Sequence, residues 1–168
     1  MSTLSLFHPP SPWSNQPVRL YHGTTVEHAF SITTTGVRVS AGRSFIDFGP
    51  GFYATTLERQ ARAWAWQRAD ETGKTPAVVY GDIDREALAG LDCLSFVRGD
   101  FHADDFWSFV VHCRHVGTDH ARAGEGSRRY DVVIGPVTAF WKQRTSDQVS
   151  FHTLEAEAVL NATAWRML

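Results

Sequence analysis

Three short segments combine residue types that could bind a small planar ligand: 21–24 (YHGT), 47–53 (DFGPGFY) and 148–151 (QVSF). In the first, Gly23 follows His22 and has no Cβ, so a ligand could approach its backbone N–H and C=O closely. Those two groups offer one donor and one acceptor, which is the pair that a carboxamide needs. A lone histidine is more often structural, so this segment indicates a binding site only together with the other two.

The second segment places two glycines around a proline and ends in two aromatic residues. Ordering such a loop costs conformational entropy, so its rigidity needs a reason. The loop could be a tight turn before a strand, or it could support Tyr53 as a flat surface on which a planar ring stacks. The residues alone leave both interpretations open. The third segment predicts a strand in which Gln148 and Ser150 share one face while Val149 and Phe151 face the core.

The pattern around these segments predicts an α+β domain. Residues 18–22 alternate as in a strand that Gly23 ends, and Thr24 or Thr25 is expected to cap a helix over 26–34. The remaining predicted elements are a helix over 57–69 capped by Thr56, a strand over 77–82, a short helix over 84–92, a helix or strand over 104–115, strands over 130–135 and 148–152, and a helix over 154–161 capped by Thr153.

Length and composition are typical of one globular domain: 168 residues, of which 43% are hydrophobic and 20% are charged. Residues 1–17 contain four prolines and are expected to form an irregular lead-in to a single domain over 18–168. The formal net charge of -2 excludes a basic nucleic-acid-binding surface over the whole molecule. Arg122, Arg128 and Arg129 still form a local basic cluster, which is either a solvated loop or a surface facing an acceptor.

No apolar run reaches the length of about 20 residues that spans a bilayer, and the N-terminus lacks the pattern of a secretory signal. Cys93 and Cys113 are in no paired motif and are expected to be reduced thiols of a cytoplasmic protein. A metal site at His112, Cys113, His115 and His120 is not expected, because a helix or strand would scatter these side chains over different faces. A Cys–His hydrolase is not expected either, since neither cysteine has a glycine-framed nucleophile turn.

Together, the segments resemble the ADP-ribosyltransferase superfamily on its poly(ADP-ribose) polymerase-like side. The chain is most similar to an uncharacterised bacterial group with the motifs YHGT, DFGxGFYxTT, a helix with QA and WA, YDxxIGP and QxSFxT. The corresponding residues here are 21–24, 47–56, 60–61 with 64–65, 130–136 and 148–153. The resemblance covers about residues 18–160, and the long second motif is its specific part.

The resemblance implies a split antiparallel β-sandwich with flanking helices and with NAD, as co-substrate, in its cleft. It implies that His22 contacts the adenosine ribose, that the Gly23 backbone binds the nicotinamide amide and that Tyr53 stacks on the nicotinamide ring. Gln148 takes the position of a family residue, often Glu, that contacts the nicotinamide ribose. The expected catalytic residues are thus His22, Tyr53 and Gln148. The expected NAD-binding residues are His22, Gly23, Thr24, Asp47, Gly51, Phe52 and Tyr53.

Glutamine at this position affects the expected chemistry. Breaking the bond between nicotinamide and ribose builds positive charge on the ribose, which a negative or dipolar partner stabilises. Gln148 can accept a hydrogen bond from a ribose hydroxyl but cannot take a proton. Transfer of a single ADP-ribosyl group is therefore expected rather than elongation into a polymer. Asp47 and Asp147 are alternative bases, although a loop or capping role is favoured for both.

The sequence therefore predicts a mono-ADP-ribosyltransferase that modifies a macromolecule, either a protein or a nucleic acid. The resemblance and the small size imply a bacterial toxin-like effector with a cognate antitoxin, acting in the cytoplasm or delivered into that of a target cell. The alternative is a catalytically degenerate module that binds NAD, ADP-ribose or nucleic acid. Release of nicotinamide from NAD distinguishes the enzyme from the module.

Overall fold

The computed structural model describes residues 15–97, 103–116, 120, 129–138 and 146–168. Within these ranges the chain forms two β-sheets and five α-helices, which confirms the α+β class. The strands are β1 (Val18–Thr25), β2 (Phe52–Ala54), β3 (Pro76–Ile83), β4 (Cys93–Ser95), β5 (Val132–Gly135), β6 (Gln148–Phe151) and β7 (Arg166–Met167). The helices are α1 (Val26–Thr34), α2 (Glu58–Thr72), α3 (Arg85–Ala89), α4 (Ala103–Val116) and α5 (Leu154–Asn161).

The strand order is β1-β3-β7 in the first sheet and β2-β6-β5-β4 in the second. Every pair is antiparallel except β4 and β5, which run parallel. The expectation of a split antiparallel β-sandwich is wrong at this pair of strands. β4 and β5 can run parallel because the connection between them contains α4 and is long enough for the crossover that parallel neighbours require.

One apolar core contains residues of both sheets. Its buried members include Leu20 and Val79 from the first sheet and Phe52, Val149 and Phe151 from the second. The prediction that the last two face the core is therefore confirmed. The core packs the two sheets together and so fixes β1 relative to β2, the two strands that carry the candidate site.

The opposite face of the second sheet packs against α4. Here Phe48 and Val133 are buried together with Phe106, Phe109 and Cys113. The segment that could have been a helix or a strand is a helix because its apolar side chains cover this face. All four residues of β6 are consequently buried, including the polar ones.

Two predicted boundaries near the site are wrong. The first strand does not end at Gly23 but continues to Thr25, and Gly23 is paired with Val78 of β3. Thr56 does not cap α2, because Leu57 occupies the N-cap position. The Thr56 backbone N–H instead donates to the carboxylate of Asp147 at 3.1 Å.

The two other predicted caps differ in outcome. Thr153 caps α5 as expected, since its hydroxyl accepts from the backbone N–H of Ala156 at 3.2 Å. Thr25 occupies the N-cap of α1 but makes no side-chain capping bond. The first strand therefore leads directly into α1.

None of the described helices is long and apolar enough to cross a membrane. Residues 1–14 of the expected lead-in lie outside the described residues, as do Arg122 and Arg128. Arg129 is described and half-buried, and its Nη1 donates to the backbone carbonyl of His152 at 3.5 Å. This arginine therefore packs on the protein and is not part of a fully solvated loop.

Candidate functional site

The candidate site begins where β1 and β2 diverge. Tyr21 and Thr55 exchange two backbone hydrogen bonds, of 2.8 Å and 2.9 Å, so the backbone groups of Tyr21 point away from β3 and toward β2. Backbone groups two residues apart on a strand point the same way, so the N–H and C=O of Gly23 also point away from β3. From this contact toward Gly23 on β1 and Tyr53 on β2, no backbone pairing between the two strands is present in the described ranges. Within the described ranges, Gly23 therefore presents one donor and one acceptor at an open strand edge.

Gly23 also has a packing role. A Cβ at this position would lie 2.0 Å from the carbonyl oxygen of Ala61 and 2.8 Å from the backbone nitrogen of Ala65. Both atoms belong to the backbone of α2, so no side-chain movement could make room. Glycine thus allows α2 to pack directly on β1, and this reason for glycine is independent of any ligand.

His22 connects the two diverging strands. Its Nδ1 lies 2.6 Å from the backbone carbonyl oxygen of Tyr53. A carbonyl can only accept, so Nδ1 carries the proton and Nε2 is left as an acceptor. Burial lowers the pKa of His22 to about 4, although its hydrogen bond to the Tyr53 carbonyl acts in the opposite direction. At neutral pH the imidazole is therefore uncharged, and its ring packs on Phe52 with centroids 4.4 Å apart.

Tyr53 is fixed by the loop that precedes it. Its hydroxyl donates to the carbonyl oxygen of Gly49 at 2.7 Å and accepts from the backbone N–H of Phe48 at 3.0 Å. Gly49 has a φ of 82°, a left-handed conformation that favours glycine. Burial raises the pKa of the Tyr53 hydroxyl well above its usual value. The loop is thus both a turn before β2 and a rigid support for the ring, so the two interpretations of this segment are compatible.

A cleft of about 430 Å³ opens beside these residues. This volume is within the range of sites for small ligands and cofactors. Six of the predicted NAD-binding residues line it: His22, Gly23, Thr24, Gly51, Phe52 and Tyr53. Sequence elements separated by about 30 residues thus meet at one cleft, as the motifs indicated.

Sequence reasoning missed the wall of the cleft that α2 contributes. Trp64, Arg68 and Glu71 line the cleft and follow one another at helical spacings of four and three residues. The alanines at 61, 65 and 69 are buried and form the packing stripe of the same helix. The helical spacing of these three residues is the sequence signal from which this wall could have been predicted.

The cleft carries an excess of positive charge. Arg38, Arg43 and Arg68 line it, whereas Glu71 is the acidic residue among the lining residues. Arg43 contacts Glu71 at 3.1 Å and Arg68 contacts it at 3.6 Å. One carboxylate cannot neutralise three guanidinium groups, so the cleft attracts anions although the whole chain has a net charge of -2.

Asp47 and Gln148, which were also predicted, are not among the lining residues. Gln148 is 4% exposed, and its Nε2 donates to Asp47 Oδ2 and to the carbonyl oxygen of Pro136, both at 3.0 Å. Asp47 also accepts from the guanidinium of Arg114, at 2.5 Å and 3.1 Å, and from the hydroxyl of Thr138 at 2.8 Å. The two residues therefore belong to one buried hydrogen-bond network.

The strand register places this network near Tyr53. Tyr53 is paired with Ser150 across β2 and β6, and Gln148 lies two residues from Ser150 on the same face of the sheet. Diagonal neighbours of this kind have backbones about 7–8 Å apart. Tyr53 and Gln148 thus share a sheet face, although Gln148 does not border the cleft.

Asp147 has a comparable structural role. Its carboxylate accepts from the hydroxyls of Thr55 and Thr56 and from the backbone N–H of Thr56. Asp47 and Asp147 are thus both hydrogen-bonded within the protein, which agrees with the loop and capping roles favoured for them. Neither carboxylate lines the cleft.

The histidines around Cys113 lie in different environments. Cys113 and His120 are buried, whereas His115 is exposed. Across the part of the chain that the structure describes, no group of three or more His, Cys, Asp or Glu residues is arranged to bind a metal ion. Cys113 packs on Phe48 in the cluster beneath α4 and thereby supports the loop that leads to Tyr53.

The fold and the site thus define an α+β protein with a positively charged cleft between two diverging strands. A family model described as "Protein of unknown function (DUF3990)" matches residues 18–139, and the chain belongs to this family. The match begins at β1 and includes the whole cleft and Asp47, but ends before Gln148. No curated protein matches the chain.

Proposed function

We propose that the protein binds NAD in this cleft and transfers a single ADP-ribosyl group to a macromolecular acceptor. The observation that carries the proposal is the open backbone pair of Gly23 in a cleft that Tyr53 also lines. This pair is complementary to a carboxamide, and the ring is complementary to the heterocycle attached to it. Nicotinamide combines these two features.

The rest of the cleft suits the rest of NAD. Nε2 of the neutral His22 can accept a hydrogen bond from a ribose hydroxyl. Arg38, Arg43 and Arg68 supply positive charge for the diphosphate, and arginine is well suited to bind phosphate oxygens in pairs. Trp64 adds a further aromatic surface for a ring.

In the proposed reaction, the bond between the ribose and the nicotinamide nitrogen breaks, and its electron pair stays on nicotinamide. A nucleophile of the acceptor forms the new bond to the ribose carbon and loses its proton to solvent. In this proposal Gly23 and Tyr53 orient the leaving group. Gln148 lies outside the cleft lining but on the same sheet face as Tyr53, and its dipole would stabilise the positive charge that develops on the ribose. Since Gln148 cannot take a proton, activation of a further ribose hydroxyl has no base at this position, which favours single transfer.

The acceptor is a protein or a nucleic acid in this proposal. The sequence resemblance alone supports a further part of the proposal: the protein is a bacterial toxin-like effector that acts in a cytoplasm and has a cognate antitoxin. The second candidate function is a module that binds NAD or ADP-ribose without reaction. It is favoured by one observation: Gln148 is neutral, and Asp47 and Asp147 already accept hydrogen bonds from neighbouring residues.

The test is release of nicotinamide from NAD by the purified protein, with and without a cell lysate. His22→Ala should lose this activity. Arg19→Ala is the matched control, because Arg19 lies on the same strand but pairs with Asp82 outside the cleft. Release that depends on His22 would support the enzyme, and dependence on lysate would place the acceptor there.

Two other outcomes are informative. If no nicotinamide is released but NAD raises the melting temperature of the wild-type protein and not of His22→Ala, the binding module is the correct function. If no nicotinamide is released and NAD does not change the melting temperature either, the proposed NAD site is wrong.

A further inference from the structure

We infer that Asp47 is a positioning residue that orients the amide of Gln148 and that requires glutamine rather than glutamate at this position. The inference rests on the proposed function in one respect: the group that would donate a hydrogen bond to Gln148 is a ribose hydroxyl of NAD. Asp47 comes from the loop before β2, and Gln148 begins β6, 101 residues later. The sequence pattern does not predict this contact, since it depends on the register of β6 with its neighbours.

A count of hydrogen-bond donors fixes the orientation of the amide. Nε2 of Gln148 has two protons, and it lies 3.0 Å from Asp47 Oδ2 and 3.0 Å from the carbonyl oxygen of Pro136. Both partners can only accept, so both protons are used and the amide cannot be reversed. Oε1 is then the remaining polar atom of the side chain, and no donor bonds to it among the residues that the structure describes. Oε1 is therefore the atom through which Gln148 can accept a hydrogen bond from a ligand hydroxyl.

The same geometry disfavours glutamate. A carboxylate at position 148 would place an oxygen near Asp47 Oδ2 and near the Pro136 carbonyl oxygen, with no proton for either contact. Arg114 and Thr138 bind Asp47, so they would not relieve the new contact with Pro136. A buried charge without a donor is costly, and two carboxylates in contact repel each other. Glutamate, which ADP-ribosyltransferases often have at this position, is therefore unfavourable in this environment.

The experiment compares Asp47→Asn, Gln148→Glu and the double variant with the wild type. Thr138→Val is the matched control, because it removes a hydrogen bond to Asp47 without changing the partners of Gln148. For each protein, kcat and KM of nicotinamide release and the midpoint of urea unfolding are measured. We expect Gln148→Glu to lower the unfolding midpoint and to lower kcat on the order of tenfold or more.

Asp47→Asn should lower kcat more than it changes KM, because the misoriented amide affects the developing charge more than it affects binding. Thr138→Val should lower stability with little change in kcat. In the Asp47→Asn background, Gln148→Glu should cost less stability than in the wild type, because the repulsion between two carboxylates is gone. A purely structural role of Asp47 would lower stability but leave kcat of the folded protein unchanged.

Two results would overturn the inference. One is a Gln148→Glu variant that is as stable and as active as the wild type. The other is an equal stability cost of Gln148→Glu with and without Asp47→Asn. The unfolding measurements need no NAD, so the Asp47–Gln148 coupling is decided even if the wild type releases no nicotinamide and the proposed function fails.

Discussion

Acidification should destabilise the protein through His22. Burial lowers the pKa of this imidazole from 6.5 to about 4, against the effect of its hydrogen bond to the Tyr53 carbonyl. In the unfolded chain the ordinary value applies, so at a pH between these two values the unfolded state binds more protons than the folded state. Stability therefore falls as the pH falls through this window. The two pKa values correspond to a loss of about 2 kcal/mol between pH 7 and pH 5.

Urea unfolding at both pH values checks this prediction. His22→Asn keeps an N–H donor near the Tyr53 carbonyl but does not titrate, so its stability should fall by about 2 kcal/mol less than that of the wild type. His115→Gln is the control, because His115 is exposed and does not line the cleft. It should keep the pH dependence of the wild type. If His22→Asn and the wild type lose equal stability, the description of His22 as a buried neutral imidazole is refuted.

Two further substitutions test the packing around the cleft. Gly23→Ala should destabilise the protein by about 1–3 kcal/mol, because the new Cβ meets the backbone of α2 at Ala61. Urea unfolding measures this loss, and a change in the free energy of unfolding below about 0.5 kcal/mol would contradict the contact. Tyr53→Phe should cost about 1–3 kcal/mol, because it leaves the Phe48 N–H and the Gly49 carbonyl without their partner. Because the ring remains, thermal shift by nicotinamide should persist in Tyr53→Phe, and its loss would show that the hydroxyl itself is needed.

The sequence predicted elements that carry a complete local signal. The helix over 26–34 and the cap at Thr153 depend on residues within one or two turns, and both are confirmed. The strands β2, β4 and β7 were not predicted as such. They contain three, three and two residues, which is too short for an alternating pattern to be recognised. Their existence depends on neighbouring strands that are distant in sequence.

The candidate site likewise combines features that a local sequence pattern predicts with features that depend on distant parts of the chain. The resemblance of the motifs implied that His22 and Tyr53 share one site, and both residues line the cleft. The motifs could not show that Asp47 and Gln148 contact each other, since only the register of β6 with its neighbours brings these residues together. The contribution of Arg68 to the cleft depended on which side of α2 faces β1. That choice is made by the close contact at Gly23, which no local pattern reveals.

At Gly23, the orientation of the backbone supports a ligand site, whereas the type of the residue does not. A glycine beside a histidine first indicated a ligand approaching the backbone, yet α2 alone requires glycine at this position. The identity of the residue is therefore explained without a ligand and cannot count in favour of one. The direction of its N–H and C=O is different, because α2 packing does not need these groups to face an open edge. They do so because β1 and β2 separate after the contact between Tyr21 and Thr55, and that separation is the feature from which the proposed carboxamide site follows.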